Sequence, residues 1–325
     1  ARGIPVLHRS QALAELMNER VGIAVAGAHG KTTVTAMLAL VLEWSGQDPT
    51  ILIGGELAEL QGGAKYGQGP YLVAEADESD GSFLRYRPHI ALITSVEADH
   101  LEFYGGSWDR LKETYARFVD NIHPDGALIL RVDEEGTRQL RRRAGSRRVI
   151  TYGLDPSAQY TCRDVQLKAG EASCLVLKDK EPLGTLKLQV PGRHNLLNAL
   201  GVIGAAAECG LAFPEIARHL ANFRGVGRRF QPIAQVGDIL IFDDYAHHPT
   251  EIAVTLGAAR EGWERRIVAV FQPHRYSRTS FFWDDFGPAL KEADVIVLVP
   301  IYSPLSEKPI PQVTSEALAR HIAGQ

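Results

Sequence analysis

A glycine-rich loop joins an apolar run to a helical pattern near the beginning of the chain, and few folds accommodate this order. The run Val21 to Gly27 reads VGIAVAG, which is typical of a buried strand. It leads into AHGKTT at 28–33, and apolar residues from Val34 to Trp44 then recur at helical spacing until Gly46. This strand–loop–helix order predicts a phosphate-binding loop in an α/β domain, because glycines let backbone N–H groups turn toward phosphate oxygens.

The residue types in this loop match that chemistry. Lys31 would neutralise charge on the β- and γ-phosphates, and the Thr32 hydroxyl would bind Mg²⁺. The spacing GxxGKTT is shorter than the common GxxxxGK[ST] spacing, so the alternative is a glycine turn with an exposed lysine. The flanking strand and helix favour the phosphate-binding interpretation.

Two further polar clusters follow apolar runs. EADESD, from Glu75 to Asp80, ends the run Tyr71 to Ala76, and EADH, from Glu97 to His100, follows the run Ile90 to Val96. Ligands of open α/β sheets lie at the carboxyl ends of strands, where carboxylates can hold Mg²⁺ and a neutral histidine can hold a second metal ion. The alternative for each cluster is a solvated surface loop.

Later segments predict a change of architecture. Three strand-like stretches between Tyr160 and Val190 predict a small antiparallel patch, and the glycine-rich segment FRGVGRR at 223–229 predicts a domain junction. Beyond it, the strands predicted at Ile239 to Asp243, Ile267 to Phe271 and Val295 to Pro300 form a thin three-stranded sheet between helices.

Two motifs in this second region follow apolar runs. DDYAHHPT, at 243–250, is interpreted as a binding loop at the beginning of a helix. PHRYSR, at 273–278, contains Arg275 and Arg278, and two arginines three residues apart can bind a carboxylate or a phosphate. The alternative for the second motif is a solvated basic loop.

Composition excludes several functional classes. The formal net charge is −4, from 35 Lys and Arg against 39 Asp and Glu, so a generally basic nucleic-acid-binding protein is not expected. No run reaches about 18 apolar residues, so no membrane-spanning helix is expected. The three cysteines are too scattered for a disulfide framework, which favours a reducing cytoplasmic location.

Taken in order, these motifs resemble the ATP-dependent Mur ligases of bacterial cell-wall synthesis, most closely the alanine-adding branch of that family. Ser79 stands where the ligase that recycles wall tripeptides usually has tyrosine, and Ser95 stands where the family often has asparagine. The matching segments cover nearly the whole chain and are AVAGAHGKTT (24–33), LIGGEL (52–57), YLVAEADESD (71–80), EADH (97–100), PGRHNLLNA (191–199), GVGRRFQ (225–231), DDYAHHPTE (243–251) and QPHRYSRT (272–279).

The resemblance implies three domains. Residues 1–19 would be the tail of an N-terminal UDP-sugar-binding domain that is otherwise missing. Residues 20–223 would form a central P-loop-type ATPase domain with a mostly parallel sheet plus the small antiparallel patch. Residues 224–325 would form a Rossmann-like α/β domain for the amino acid, lacking its final strands and helices.

The resemblance also implies roles for individual residues. Lys31, Glu75, His100 and Arg229 would be catalytic, with Arg229 reaching the phosphates and Thr32, Glu75 and His100 holding Mg²⁺. The nucleotide would contact Gly27, His29, Gly30, Lys31, Thr32, Thr33, His194, Asn195 and Asn198, and the incoming amino acid would contact Tyr245, His247, Arg275 and Arg278.

The implied reaction is ligation of L-alanine to the lactyl carboxylate of UDP-N-acetylmuramate, with ATP and Mg²⁺ and through an acyl phosphate. We expect a monomer or weak homodimer in the cytoplasm, with no nucleic-acid or membrane partner. Three alternatives stay open: another kind of P-loop ATPase or kinase, a related ligase with a different acceptor, such as the murein tripeptide recycling ligase or folylpolyglutamate synthase, and a non-catalytic nucleotide-binding module.

Overall fold

The chain divides into two compact units. The computed structural model describes residues 6–304 and 307–324, so the first five residues of the expected tail, 1–19, lie outside the described residues. Unit 1 consists of the described residues up to Gln166, with Ala172–Val190 and Asn195–Gly227. Unit 2 consists of Leu167–Glu171, Pro191–His194 and the described residues from Arg228 onward. The domain limits expected from the resemblance stay a prediction.

Strands and helices alternate along most of the described chain. The strands are β1 (Val21–Ala26), β2 (Thr50–Leu57), β3 (Gly62–Lys65), β4 (Tyr71–Glu75), β5 (Ile90–Ile93), β6 (Ala127–Arg131), β7 (Arg148–Tyr152), β8 (Tyr160–Lys168), β9 (Glu171–Lys178), β10 (Glu181–Leu188), β11 (Gln231–Val236), β12 (Ile239–Asp243), β13 (Val268–Phe271) and β14 (Val295–Leu298). The α-helices are α1 (Arg9–Asn18), α2 (Lys31–Trp44), α3 (Trp108–Asp120), α4 (Glu135–Leu140), α5 (Arg193–Glu208), α6 (Phe213–Leu220), α7 (Pro249–Gly262), α8 (Tyr276–Phe281), α9 (Phe286–Leu290) and α10 (Ser315–Ala323).

The large sheet has the strand order β10–β9–β8–β7–β6–β5–β1–β4–β2–β3. Strand β1 lies near its middle and pairs in parallel with both β4 and β5, with Val25 opposite Glu75 and Ile23 opposite Ile90. Parallel neighbours end at the same edge of a sheet. The residues that follow β1, β4 and β5 therefore come together at one edge, as the sequence predicted.

Burial explains why the first strand is a continuous apolar run. All of β1 beyond Val21 is buried, and α2 is buried continuously from Val34 to Leu42. A parallel strand covered on both faces has no solvent-facing positions that would favour polar residues. The helix ends at Trp44, and Gly46 follows with a φ of 74°, which glycine adopts without steric cost.

The predicted mostly parallel α/β sheet is confirmed, and so is the antiparallel patch. Strands β9 and β10 pair antiparallel, and the patch extends the same sheet beyond β7 through the Tyr152–Tyr160 pairing. The sequence reading missed β2 and β3, which pair antiparallel at the opposite end of the sheet. Gly54 and Gly55 interrupt the apolar pattern of β2, so the segment lacks a recognisable strand period.

Unit 2 corrects one expectation. The three predicted strands do not form one sheet in the described residues: β12 pairs antiparallel with β11, which the sequence reading missed, and β13 pairs in parallel with β14. A groove of about 980 Å³ is lined by residues of both β12 and β13, and Ile239 and Val270 in these strands are 64% and 68% exposed. The sequence showed where the strands are, but their pairing depends on contacts between distant segments.

A small apolar core holds unit 2 together. Helices α7 and α9 contribute Ile252 and Phe286, which pack with Phe271 of β13 and Leu318 of α10. Helices α8 and α9 are both short, with six residues in Tyr276–Phe281 and five in Phe286–Leu290. Within residues 6–304 and 307–324, no helix has both the length and the apolar character needed to cross a membrane.

Candidate active site

The loop between β1 and α2 is held against the residues that follow β5. The His29 backbone N–H donates to Ser95 Oγ at 3.0 Å, and Thr94 Oγ1 donates to the His29 carbonyl at 2.5 Å. Gly27 has a φ of 135°, and a Cβ atom there would lie 2.1 Å from Thr94 Oγ1. Glycine is therefore required at position 27, and Ser95 fixes the course of the loop.

The N-terminus of α2 has no side-chain cap from its N-cap residue. Gly30, with a φ of 81°, precedes the helix and offers no side-chain acceptor to the first backbone N–H groups of α2, which is a feature of helix ends that bind anions. A Cβ atom at Gly30 would lie 2.9 Å from Asn198 Oδ1, and Asn198 Nδ2 donates to Asn195 Oδ1 at 3.3 Å. The structure thus places Asn198 beside the loop, with Asn195 hydrogen-bonded to it.

Lys31 is bound by the loop and by a buried carboxylate. Its Nζ donates to the Gly27 carbonyl at 2.6 Å and to both carboxylate oxygens of Glu78 at 2.9 and 3.0 Å. Burial lowers the pKa of Lys31, but the charge and hydrogen bonds of Glu78 outweigh it, so the pKa lies above its usual value. The ammonium is therefore charged. Glu78 belongs to the acidic cluster EADESD, but the sequence did not indicate its pairing with Lys31.

Two predicted magnesium ligands lie side by side. Thr32 Oγ1 donates to Glu75 Oε2 at 3.3 Å, and the Gly54 N–H donates to Glu75 Oε1 at 2.6 Å. Hydroxyl and carboxylate oxygens are the ligands that Mg²⁺ prefers. Thr33 lies in the same helical turn, where it is partly buried.

Two of the predicted site histidines in unit 1 lie close to carboxylates. His29 Nε2 lies 3.3 Å from Glu97 Oε2, and His100 Nε2 lies 3.5 Å from Asp99 Oδ2. His100 Nδ1 also lies 3.9 Å from a carboxylate oxygen of Glu102. A carboxylate therefore lies near each ring nitrogen of His100, and its metal contact stays a prediction.

The predicted amino-acid-binding residues of unit 2 are connected through a chain of rings. The ring centroids of Tyr245 and His247 are 5.1 Å apart, and those of His247 and His274 are 5.6 Å apart. Arg278 Nη1 lies 3.1 Å from His274 Nδ1. Burial lowers the pKa of His274 to about 4, with further contributions from His247 and Arg278, so this imidazole is neutral near pH 7.

Arg275 carries an unsatisfied donor. Its Nε is buried and has no hydrogen-bond partner within the part of the chain that the structure describes. Its φ of 69° is unusual for a residue other than glycine, and its backbone N–H donates to the Tyr302 carbonyl at 2.7 Å. A buried guanidinium N–H without a partner is costly, and an anionic ligand would satisfy it.

Arg229 and His194 both belong to unit 2. Arg229 Nη1 lies 3.7 Å from Glu251 Oε1, and its guanidinium lies 5.5 Å from the centre of the Tyr245 ring. His194 belongs to unit 2, whereas Asn195 belongs to unit 1. The predicted phosphate contact of Arg229 and nucleotide contact of His194 both stay predictions.

Sequence reasoning missed several residues of these clusters. Glu78 and His274 stood inside motifs that were recognised, so their positions were available but their partners were not. Glu307 carried no local signal. Its carboxylate lies against Ser277 of the PHRYSR motif, with Ser277 Oγ donating to Oε1 at 2.5 Å.

Comparison with known proteins identifies the family. Residues 25–206 match the Mur ligase middle domain, and residues 228–325 match the Mur ligase glutamate ligase domain. The chain belongs to the Mur ligase family. It is 48% identical over 326 residues to a UDP-N-acetylmuramate–L-alanine ligase of Symbiobacterium thermophilum, covering 99% of this chain and 67% of that protein.

Solved structures of Mur ligases share the architecture of this chain. A UDP-N-acetylmuramate–alanine ligase from Thermotoga maritima superimposes with a TM-score of 0.80 at 31% identity, covering 97% of this chain and 67% of that one. A murein peptide ligase from Psychrobacter arcticus superimposes with a TM-score of 0.67 at 29% identity, covering 89% of this chain and 65% of that one. The family resemblance and the α/β fold class predicted from the motifs are confirmed.

Proposed function

We propose that this Mur ligase joins L-alanine to the lactyl carboxylate of UDP-N-acetylmuramate in peptidoglycan precursor synthesis, using ATP. The observation that carries the proposal is the charged loop at the carboxyl edge of the sheet, where Lys31 lies in the phosphate loop and Thr32 contacts Glu75. The 48% identity to an alanine-adding ligase supports L-alanine as the acceptor.

The loop residues fit a nucleoside triphosphate. Gly27 and Gly30 leave room that a Cβ atom would fill, and Gly30 offers no side-chain acceptor to the first backbone N–H groups of α2. The charged Lys31 ammonium offsets part of the repulsion between the anionic carboxylate of the substrate and the triphosphate. These groups bind and orient ATP for attack at its γ-phosphate.

Thr32 and Glu75 also fit a magnesium ion, because their oxygens lie 3.3 Å apart in a cluster of oxygen donors. When bound, Mg²⁺ would supply positive charge to the phosphate oxygens. We propose His100, oriented by Asp99, as a ligand of a second ion.

The reaction proceeds in two displacement steps. A lactyl carboxylate oxygen forms a bond to the γ-phosphorus of ATP as the bond to ADP breaks, which gives an acyl phosphate. The neutral amine of L-alanine then adds to the acyl carbon, phosphate leaves, and the amine proton passes to solvent or phosphate. Arg275 and Arg278 would bind the carboxylate of L-alanine, which leaves its amine free to attack.

Release of ADP by the intact protein tests this proposal. UDP-N-acetylmuramate is supplied with each amino acid in turn, and with L-alanyl-γ-D-glutamyl-meso-diaminopimelate as the alternative acceptor. We expect ADP release that requires both UDP-N-acetylmuramate and L-alanine. Preference for the tripeptide would instead indicate the recycling ligase, and ADP release without any acceptor would indicate a different ATPase.

Sedimentation at the assay concentration tests the expected monomer or weak homodimer, and fractionation of cells tests the expected cytoplasmic location.

A further inference from the structure

Glu307 makes an unusually complete set of hydrogen bonds. Its Oε1 accepts from the Ser277 N–H at 3.1 Å and the Ser277 hydroxyl at 2.5 Å. Its Oε2 accepts from the Tyr276 N–H at 2.9 Å and the Ser303 hydroxyl at 2.7 Å. Burial raises the pKa of Glu307, but these hydrogen bonds from Ser277, Ser303 and Tyr276 outweigh it and lower the pKa to about 2. The carboxylate is therefore ionised at any working pH.

These bonds fasten the arginine-bearing segment of unit 2 to the segment that follows β14. Two backbone bonds join the same segments, from the Arg275 N–H to the Tyr302 carbonyl at 2.7 Å and from the Tyr302 N–H to the Pro273 carbonyl at 2.9 Å. The rings of His274 and Tyr302 stack with centroids 5.3 Å apart. The segment is thus held at its backbone and at Ser277, on either side of Arg275.

The conformation of Arg275 depends on such support. A φ of 69° is sparsely populated for arginine and persists only where surrounding contacts hold it. Helix α8 begins at the next residue, and Arg278 lies in its first turns. Loss of the Glu307 contacts would let Arg275 relax, which would turn both guanidinium groups away from their present directions.

We propose that Glu307 is a positioning residue, which holds Arg275 and Arg278 where they bind the carboxylate of the incoming amino acid. The inference rests on the proposed function, because that function assigns the two arginines to the acceptor. Glu307 itself does not touch the substrate: its oxygens are occupied by Tyr276, Ser277 and Ser303.

Steady-state kinetics of the intact protein tests this role with Glu307→Gln. A glutamine keeps one acceptor oxygen and places an NH₂ group against two donors, so the KM for L-alanine should rise by about tenfold or more. The kcat and the KM for ATP should stay within about twofold, because the nucleotide residues are untouched. Ser277→Ala removes one of the four bonds and should raise the KM for L-alanine by about two- to fivefold.

The matched control is Glu264→Gln, since Glu264 is exposed in the same unit and has no hydrogen bond or ion pair among the described residues. Thermal unfolding confirms that each variant is folded. Glu307→Asp keeps the negative charge, so it should raise the KM for L-alanine less than Glu307→Gln does. An unchanged KM for L-alanine in Glu307→Gln, or an equal rise in all KM values with a fall in kcat, would overturn this inference alone. Absence of alanine-dependent ADP release from the wild-type protein would overturn the proposed function instead.

Discussion

Removal of the Lys31 ammonium should destabilise unit 1 as well as impair nucleotide binding. Lys31 and Glu78 have side chains that are only 16% and 2% exposed, and Lys31 is the only side chain of the described residues that donates to the Glu78 carboxylate. In Lys31→Met the buried carboxylate loses its counter-charge. Breaking a buried pair on one side costs about 3–5 kcal/mol, and we expect the lower end because the lysine is partly exposed.

A double-mutant cycle separates the charge effect from lost packing. Lys31→Met/Glu78→Gln removes both charges, so its free energy of unfolding should return to within about 1–2 kcal/mol of the wild type. The control is Lys65→Met, because Lys65 pairs with Glu43 at 2.5 Å and with Asp48 at 2.7 Å beyond the other end of α2, and all three side chains are partly exposed. These exposed pairs should contribute about 1 kcal/mol or less each.

Urea unfolding followed by far-ultraviolet circular dichroism measures these differences. We expect Lys31→Met to lower the midpoint of the transition that reports on unit 1, and the second substitution, Glu78→Gln, to restore most of it. A Lys31→Met protein within about 0.5 kcal/mol of the wild type would refute the reasoning, since substitutions without a structural role fall in that range. A double variant less stable than Lys31→Met would refute it too.

Four other predictions concern the glycine loop, Glu75, Arg278 and Glu307. Gly27→Ala should abolish binding of a non-hydrolysable ATP analogue in calorimetric titration, because its Cβ would lie 2.1 Å from the Thr94 hydroxyl. Glu75→Gln should weaken nucleotide binding when Mg²⁺ is present and leave binding in EDTA unchanged. Arg278→Ala should raise the KM for L-alanine while the Kd for the nucleotide stays constant; equal changes in both would indicate a phosphate contact. Glu307 has a pKa of about 2 in the folded protein, against a usual value of 4.5. Its ionised carboxylate therefore stabilises the fold above about pH 4.5, and this contribution is lost as the pH falls toward 2. The difference in melting temperature between the wild type and Glu307→Gln should be larger at pH 6 than at pH 3.

Much of unit 1 could be predicted from local patterns. The apolar run of β1, the glycines at positions 27 and 30 and the periodicity of α2 each specify a conformation within a few residues. Ser107 precedes α3 as its N-cap, and its hydroxyl accepts from the Arg110 N–H. Such features depend on backbone sterics and on the repeat of apolar positions, which a short stretch of sequence contains in full.

Strand pairing could be predicted less well. The sequence indicated β12, β13 and β14, but not that β12 would pair with β11, whose apolar residues are mostly exposed. The missed strand β2 contains two adjacent glycines, which remove the alternation that marks a half-buried strand. Pairing is decided by which edges meet in three dimensions, and a strand's own residues do not specify its partner.

The sequence by itself determined the glycine loop between β1 and α2, the acidic strand end at Glu75 and the order of motifs that places the chain among Mur ligases. Only the tertiary structure decided which charges meet: Lys31 pairs with Glu78 from 47 residues away, and Glu307 binds Ser277 from 30 residues away. The physical reason is that a glycine turn or a helical period acts over a few residues. The strength of an ion pair, or of the hydrogen bonds that a carboxylate accepts, depends on burial and distance. Both are set only when the chain has folded.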